Sequence, residues 1–91
     1  MILSLNIGNS HIFGGVFKGN QLLLQFRHPS DSNTTSDQLG LFFRSVLREN
    51  NIDPKEITHI GYSPVLPSLD YSVRSAFIKY FNQEPFVLKP V

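Results

Sequence analysis

From Ile2 to Ile7 the chain alternates, with Leu3, Leu5 and Ile7 on one side and Ser4 and Asn6 on the other. A period of two marks a strand with one buried face. Ile12 to Phe17 is a second apolar run, interrupted by Gly14-Gly15, and Gln21 to Phe26 is a third. Gly19-Asn20 between the last two is a two-residue hairpin signal, because glycine tolerates the positive φ of such turns and Asn often accepts it. Gly8-Asn9-Ser10 joins the first two runs in the same way. Three sequential antiparallel strands are expected.

The period then changes. A Ser-, Asp- and Asn-rich stretch from Pro29 to Thr34 breaks the alternation. Thr35 stands three residues before Gln38, the spacing of a capping box. After it Leu39, Phe42, Phe43, Val46 and Leu47 recur at helical spacing, with Arg44, Arg48 and Glu49 on the solvent side. Asn50-Asn51 is the expected stop, since Asn accepts the left-handed conformation after a helix. Asp53-Pro54-Lys55-Glu56 predicts a single helical turn with Pro at its first position, and a fourth strand follows over Ile57 to Tyr62. Ser63-Pro64-Val65-Leu66-Pro67 cannot be regular helix through both prolines. A second helix, from about Ser68 to Phe81, carries Leu69, Val73, Ala76, Phe77, Tyr80 and Phe81 on its stripe. A short strand, Phe86 to Leu88, comes last. Strands separated by helices pair in parallel through right-handed crossovers. The order β-β-β-α-β-α-β therefore predicts an α/β fold with a mixed sheet and helices packed on it. This is the layout of a ribonuclease-H-like (actin-like ATPase) domain.

Composition narrows the function classes. A length of 91 residues suits a single domain, and 41% hydrophobic with 16% charged residues is an ordinary globular balance. The formal charge is +1, and the basic residues form no dense run, which argues against nucleic acid as the main partner. The absence of cysteine excludes disulfides, thiolate metal sites and cysteine nucleophiles, and fits a reducing cytoplasm. Met1-Ile2-Leu3-Ser4-Leu5 is too short and lacks the flanks of a signal peptide. No apolar run reaches the length of a bilayer, so no membrane partner is expected. No internal repeat or low-complexity tract interrupts the chain.

The segment with chemistry is Asn6-Ile7-Gly8-Asn9-Ser10. A tight turn between two strands leaves successive backbone N–H groups pointing outward, a small nest for an anion. Gly8 has no Cβ to block a phosphate, and Asn9 and Ser10 add side-chain donors. The Walker pattern G-x-x-x-x-G-K-[ST] occurs nowhere in the chain. A plain hairpin turn explains the same residues. His11, His28 and His59 show no ligand spacing and read as structural or surface residues. Arg27 is either a phosphate or interface contact or a solvated residue at a strand end.

Together these pieces resemble the type III pantothenate kinases. That family opens with a strand ending in Asp-x-Gly-Asn-Thr/Ser, matched here by Asn6-Ile7-Gly8-Asn9-Ser10. It continues with an Arg ending the third strand, here Arg27, and a Thr-x-Asp-Glu helix start, here Thr35-Ser36-Asp37-Gln38. A Ser-x-Val-Pro-like segment after the fourth strand corresponds to Pro64-Val65-Leu66-Pro67. Leu47-Arg48-Glu49-Asn50 and Tyr80-Phe81 also match, so the likeness extends along the whole chain. The resemblance implies transfer of the γ-phosphoryl group of ATP to pantothenate, the first step of coenzyme A synthesis. It implies ATP with Mg2+, a monovalent cation (K+ or NH4+), a homodimer, and ATP phosphates held by Asn6, Ile7, Gly8, Asn9, Ser10, His11, Ile12 and Phe13.

The chain departs from the family at three points. Asn6 stands where the pattern has Asp, a residue suited to organising magnesium. Gln38 replaces an acid but still completes a capping box. Pro64 replaces a Ser, removing a hydroxyl and a backbone N–H. The family's second motif, with the carboxylate base and a pantothenate-holding Arg, has no counterpart before Val91, nor does the second domain. Residues 1–91 thus read as one N-terminal ribonuclease-H-like domain of a two-domain kinase, inactive alone and with no catalytic residue of its own. Two alternatives stay open: a non-catalytic nucleotide-binding or dimerising paralogue, and an unrelated α/β interaction module.

Overall fold

Alternation at Leu3, Leu5 and Ile7 becomes strand β1 (Ile2–Ile7), followed by β2 (His11–Lys18) and β3 (Gln21–Pro29). Both pairings are antiparallel, as the hairpin signals require. Helix α1 (Ser36–Glu49) and a 3-10 turn (Pro54–Glu56) lead to β4 (His59–Ser63), and helix α2 (Pro67–Phe81) leads to β5 (Phe86–Val87). The computed structural model describes residues 1–63 and 67–88. Pro64, Val65 and Leu66, the core of the prolyl connector, lie outside the described residues.

Local signals place the helix ends where the residue types indicate. Thr35 caps α1: its Oγ1 accepts from the Gln38 amide at 3.1 Å, while Gln38 Oε1 accepts from the Thr35 amide at 2.9 Å. At the other end Asn51 takes φ 62°, and the amides of Asn51 and Ile52 donate to the carbonyls of Arg48 and Leu47 at 3.0 and 2.9 Å. These two bonds satisfy orphan carbonyls of the last turn. Ile52 packs into the core beside Leu47, the apolar contact that usually accompanies such a stop.

The strands order as β3-β2-β1-β4-β5, with β1–β4 and β4–β5 parallel. The result is the expected mixed sheet, with β1 joining its antiparallel and parallel parts. Leu3, Leu5, Ile7, Ile12, Val16, Ile60 and Tyr62 meet Leu39, Phe43, Leu47, Leu69, Val73 and Phe77 in one core. Residues two apart on a strand share a face, so α1 and α2 both cover the face that bears these side chains. The opposite face has no helix among the described residues, and Ile2, Phe13 and Phe86 stand exposed on it.

Several details differ from the linear pattern, among them β4, which starts at His59 and not at Ile57, the residue that caps the end of the 3-10 turn. Arg44 is not a solvent-side residue: its Nη1 donates to the Tyr80 carbonyl at 2.9 Å and ties α1 to the end of α2. A long stem lets a charged head reach across apolar surface to a polar partner. Phe42, Tyr80 and Phe81 are half-buried rather than fully enclosed, because two helices on one sheet face leave the edges of each stripe uncovered. Beneath α2 the Tyr62 hydroxyl donates to Asp70 Oδ1 at 2.5 Å. Burial, then the Asp70 carboxylate, holds the phenol above its usual range.

Candidate functional site

The parallel strands β1 and β4 end side by side, and the β1–β2 turn rises from that end. In open α/β sheets the carboxyl ends of parallel strands are where ligands gather. Ile7 pairs with Ile12, and the Gly8 amide donates to the His11 carbonyl at 2.8 Å, which closes the turn around Asn9 and Ser10.

This turn differs from the expected hairpin geometry. Among the described residues Gly19 is the glycine at positive φ, while Gly8, Asn9 and Ser10 have none. Of the two hairpin turns, only β2–β3 therefore uses left-handed backbone. Gly8 is needed for a steric reason instead: a Cβ there would lie 3.2 Å from the His11 carbonyl oxygen. The Gly8 amide is also spent inside the turn and is not part of an outward nest.

What remains is still polarised toward an anion. The carbonyls point inward: His11 O accepts from Gly8, Ser10 O accepts from the Ser30 amide at 2.9 Å, and Gly8 O accepts from Ser30 Oγ at 3.0 Å. Among the described residues the amides of Asn9 and Ser10 have no hydrogen-bond partner, and both residues are exposed. Two adjacent N–H groups without an internal partner, beside acceptors already engaged, leave a pair of free donors at this turn. Ser10 Oγ lies 3.0 Å from His11 Nδ1, so its hydroxyl is engaged beside the turn.

Asn6 is exposed at the end of β1, on the face opposite the helices, and its Oδ1 accepts from Ser63 Oγ at 3.1 Å. Ser63 is its register partner across β1–β4. Phe13 is exposed on the same face, directly across from Asn6, whereas Ile7 and Ile12 point into the core and only their backbone belongs to the site. The fold thus gathers Asn6, Gly8, Asn9, Ser10, His11 and Phe13 at one end of the sheet. Two positioning residues, Ser30 and Ser63, escape linear reading. Their only mark is a hydroxyl at the edge of a strand, and their partners lie far away in sequence.

The other histidines have structural partners. His28 stacks on Phe42 with ring centroids 4.2 Å apart, and His59 Nδ1 lies 3.0 Å from Thr58 Oγ1. Among the described residues no three His, Cys, Asp or Glu side chains converge as a metal site. No helix among them is long and apolar enough to cross a membrane.

A family described as type III pantothenate kinase matches residues 2–91. The chain is 54% identical over 89 residues to a type III pantothenate kinase of Legionella pneumophila (strain Corby), covering 98% of this chain and 34% of the relative. It is 49% identical over 90 residues to one of Elusimicrobium minutum, covering 99% and 35%. The chain therefore spans about a third of the length of the curated relatives it matches. Among solved structures, a ROK hexokinase from Thermus thermophilus superposes with a TM-score of 0.69 at 19% identity, covering 96% of this chain and 34% of that one. A Bacteroides thetaiotaomicron protein of actin-like ATPase fold and unknown function gives 0.68 at 11%, covering 96% and 32%. At such identities the likeness shows the fold, which is the expected actin-like one.

Proposed function

Since the chain belongs to the type III pantothenate kinase family, we propose that it is the N-terminal, phosphate-holding domain of an enzyme that transfers the γ-phosphoryl group of ATP to pantothenate. What supports this is the β1–β2 turn, where the exposed Asn9 and Ser10 have amides without an internal partner while the carbonyls of Gly8, Ser10 and His11 are engaged. Phosphoryl transfer depends chiefly on positioning and on neutralising charge. In this proposal the Asn9 and Ser10 amides hold phosphate oxygens, Gly8 and Ser30 set the turn, and Asn6 with Ser63 marks the end where the transferred group lies. His11, Ile12 and Phe13 flank the nucleotide as the second strand of the hairpin.

Magnesium does not find a protein-built site here. Asn6 offers one neutral oxygen, already accepting from Ser63, whereas hard cations prefer several oxygens with negative charge among them. Any magnesium needed would be held by the nucleotide's own phosphates, where it would neutralise charge. A monovalent cation, a homodimeric state and a cytoplasmic setting belong to the same proposal for the whole enzyme. In this proposal a further domain completes a two-domain cleft, and the 91-residue chain does not turn over substrate by itself.

Titrating the 15N-labelled chain with Mg-ATP tests the binding part. Shifts at the Asn9 and Ser10 amides are expected, and a saturating titration that leaves both unmoved would refute it. ADP release by the isolated chain is expected at background level. A second reading, a nucleotide-binding paralogue without catalysis, is favoured by the neutral Asn6. An Asn6→Asp chain is expected to bind Mg-ATP about tenfold more tightly than the parent, because charge-assisted contacts are roughly twice as strong as neutral ones. Equal affinities would show that position 6 does not weaken this chain.

A further inference from the structure

Asn6 belongs to a row that crosses four strands. Ser63 pairs with Asn6, Asn6 with Phe13, and Phe13 with Arg27. Phe13 and Arg27 are exposed beside each other, and with Gln25 they line a depression of about 320 Å³ that also touches Gly14 and Phe26. That volume lies at the lower end of small-ligand pockets. Adjacent strands are separated by about 4.8 Å, so two strand spacings separate Asn6 from Arg27. An extended arginine side chain can cover much of that span over the ring of Phe13.

The charge distribution favours an anion there. None of the five strands contains Asp or Glu; all seven acidic residues lie in helices, turns or loops. Among the described residues the other basic side chains are committed or remote. Arg74 pairs with Glu84, Lys79 with Asp37, and Arg44 donates to the Tyr80 carbonyl. Arg48 lies on α1, Lys55 on the 3-10 turn, and Lys18 beside the opposite hairpin turn. Among the described residues Arg27 has no hydrogen-bond or ion-pair partner. A guanidinium next to an aromatic ring, on an acid-free face, is suited to a phosphate or carboxylate because its donor fork matches two oxygens at once.

We infer that Arg27, flanked by Phe13 and Gln25, forms a second oxyanion subsite on the helix-free face of the sheet, in line with the β1–β2 turn. It rests on the turn being the phosphate site, and it assigns to Arg27 the positive charge that the turn itself lacks. The oxyanion is either a phosphate of the nucleotide or the carboxylate of the acceptor.

The test follows the Arg27 Nε–H resonance, assigned by its loss in Arg27→Gln, together with the Asn9 and Ser10 amides. The 91-residue chain is titrated with inorganic tripolyphosphate and, separately, with pantothenate. A shift of Arg27 with tripolyphosphate assigns the phosphate, and a shift with pantothenate alone assigns the carboxylate. Arg27→Gln is expected to weaken the responsive anion about tenfold, as loss of a charged hydrogen bond does. Arg27→Lys is expected to fall between, because it keeps the charge without the fork. Unchanged affinity in Arg27→Gln, or an Arg27 signal unmoved by both anions while the turn amides shift, overturns the subsite and leaves the turn's role standing. Movement at Arg27 with the turn amides static overturns the turn's role and, with it, the reading of Arg27 as a second subsite beside it.

Discussion

Replacing Phe43 with alanine is expected to destabilise the chain by about 3–5 kcal/mol, the usual cost of truncating a buried aromatic. Phe43 has no solvent exposure and stacks on Phe77 with ring centroids 5.0 Å apart and planes 7° from parallel. Its ring also lies 6.3 Å from that of Phe26 on β3 and 5.8 Å from that of Phe42. One side chain therefore joins α1, α2 and the sheet. A domain of this size has roughly 5–14 kcal/mol of stability, at 0.05–0.15 kcal/mol per residue. One sheet face carries no helix among the described residues, so the low end of that range applies and the variant should be largely unfolded. Urea denaturation followed by circular dichroism measures the effect. A loss below about 1 kcal/mol would mean that the three-way aromatic junction does not organise the core.

The second large effect concerns Gly40, where two considerations oppose each other. Alanine is about 1 kcal/mol better than glycine inside a helix, so propensity alone predicts that Gly40→Ala stabilises α1. The packing predicts the opposite. A Cβ at Gly40 would meet the Tyr80 ring at 2.1 Å, and overpacking commonly costs about 1–3 kcal/mol. Tyr80 is not free to swing aside, because its hydroxyl donates to Asp37 at 2.6 Å and its carbonyl accepts from Arg44. The clash should outweigh the propensity, giving a net loss of up to about 2 kcal/mol. A double-mutant cycle decides the cause. In a Tyr80→Ala background the same Gly40→Ala change should become stabilising. If it destabilises equally in both backgrounds, the Tyr80 ring is not what requires glycine.

These two cases mark the boundary between what is local and what is not. Thr35 with Gln38, Asn51 after α1 and Pro54 at the start of the 3-10 turn were all readable, because each interaction lies within a few residues of chain. The strand and helix order and the actin-like class were readable from the two periodicities. So was the segment Asn6 to Ser10, because glycine, Asn and Ser between two strands can form few things besides a turn. By local propensity alone, Gly40 is a weak point in a helix. Its reason is Tyr80, forty residues away.

The amino-acid sequence by itself determined the elements, their caps, the family and the position of the β1–β2 turn, since these depend on short-range sterics and hydrogen bonds or on motif spacing. Only the tertiary structure decided how the turn is built. Gly8 serves closure instead of left-handed backbone, Ser30 draws the carbonyls inward, and Ser63 holds Asn6. Register alone aligned Ser63, Asn6, Phe13 and Arg27, because a one-residue slip would send every side chain of a strand to the opposite face. That alignment depends on pairing between strands up to 57 residues apart, which no local pattern encodes.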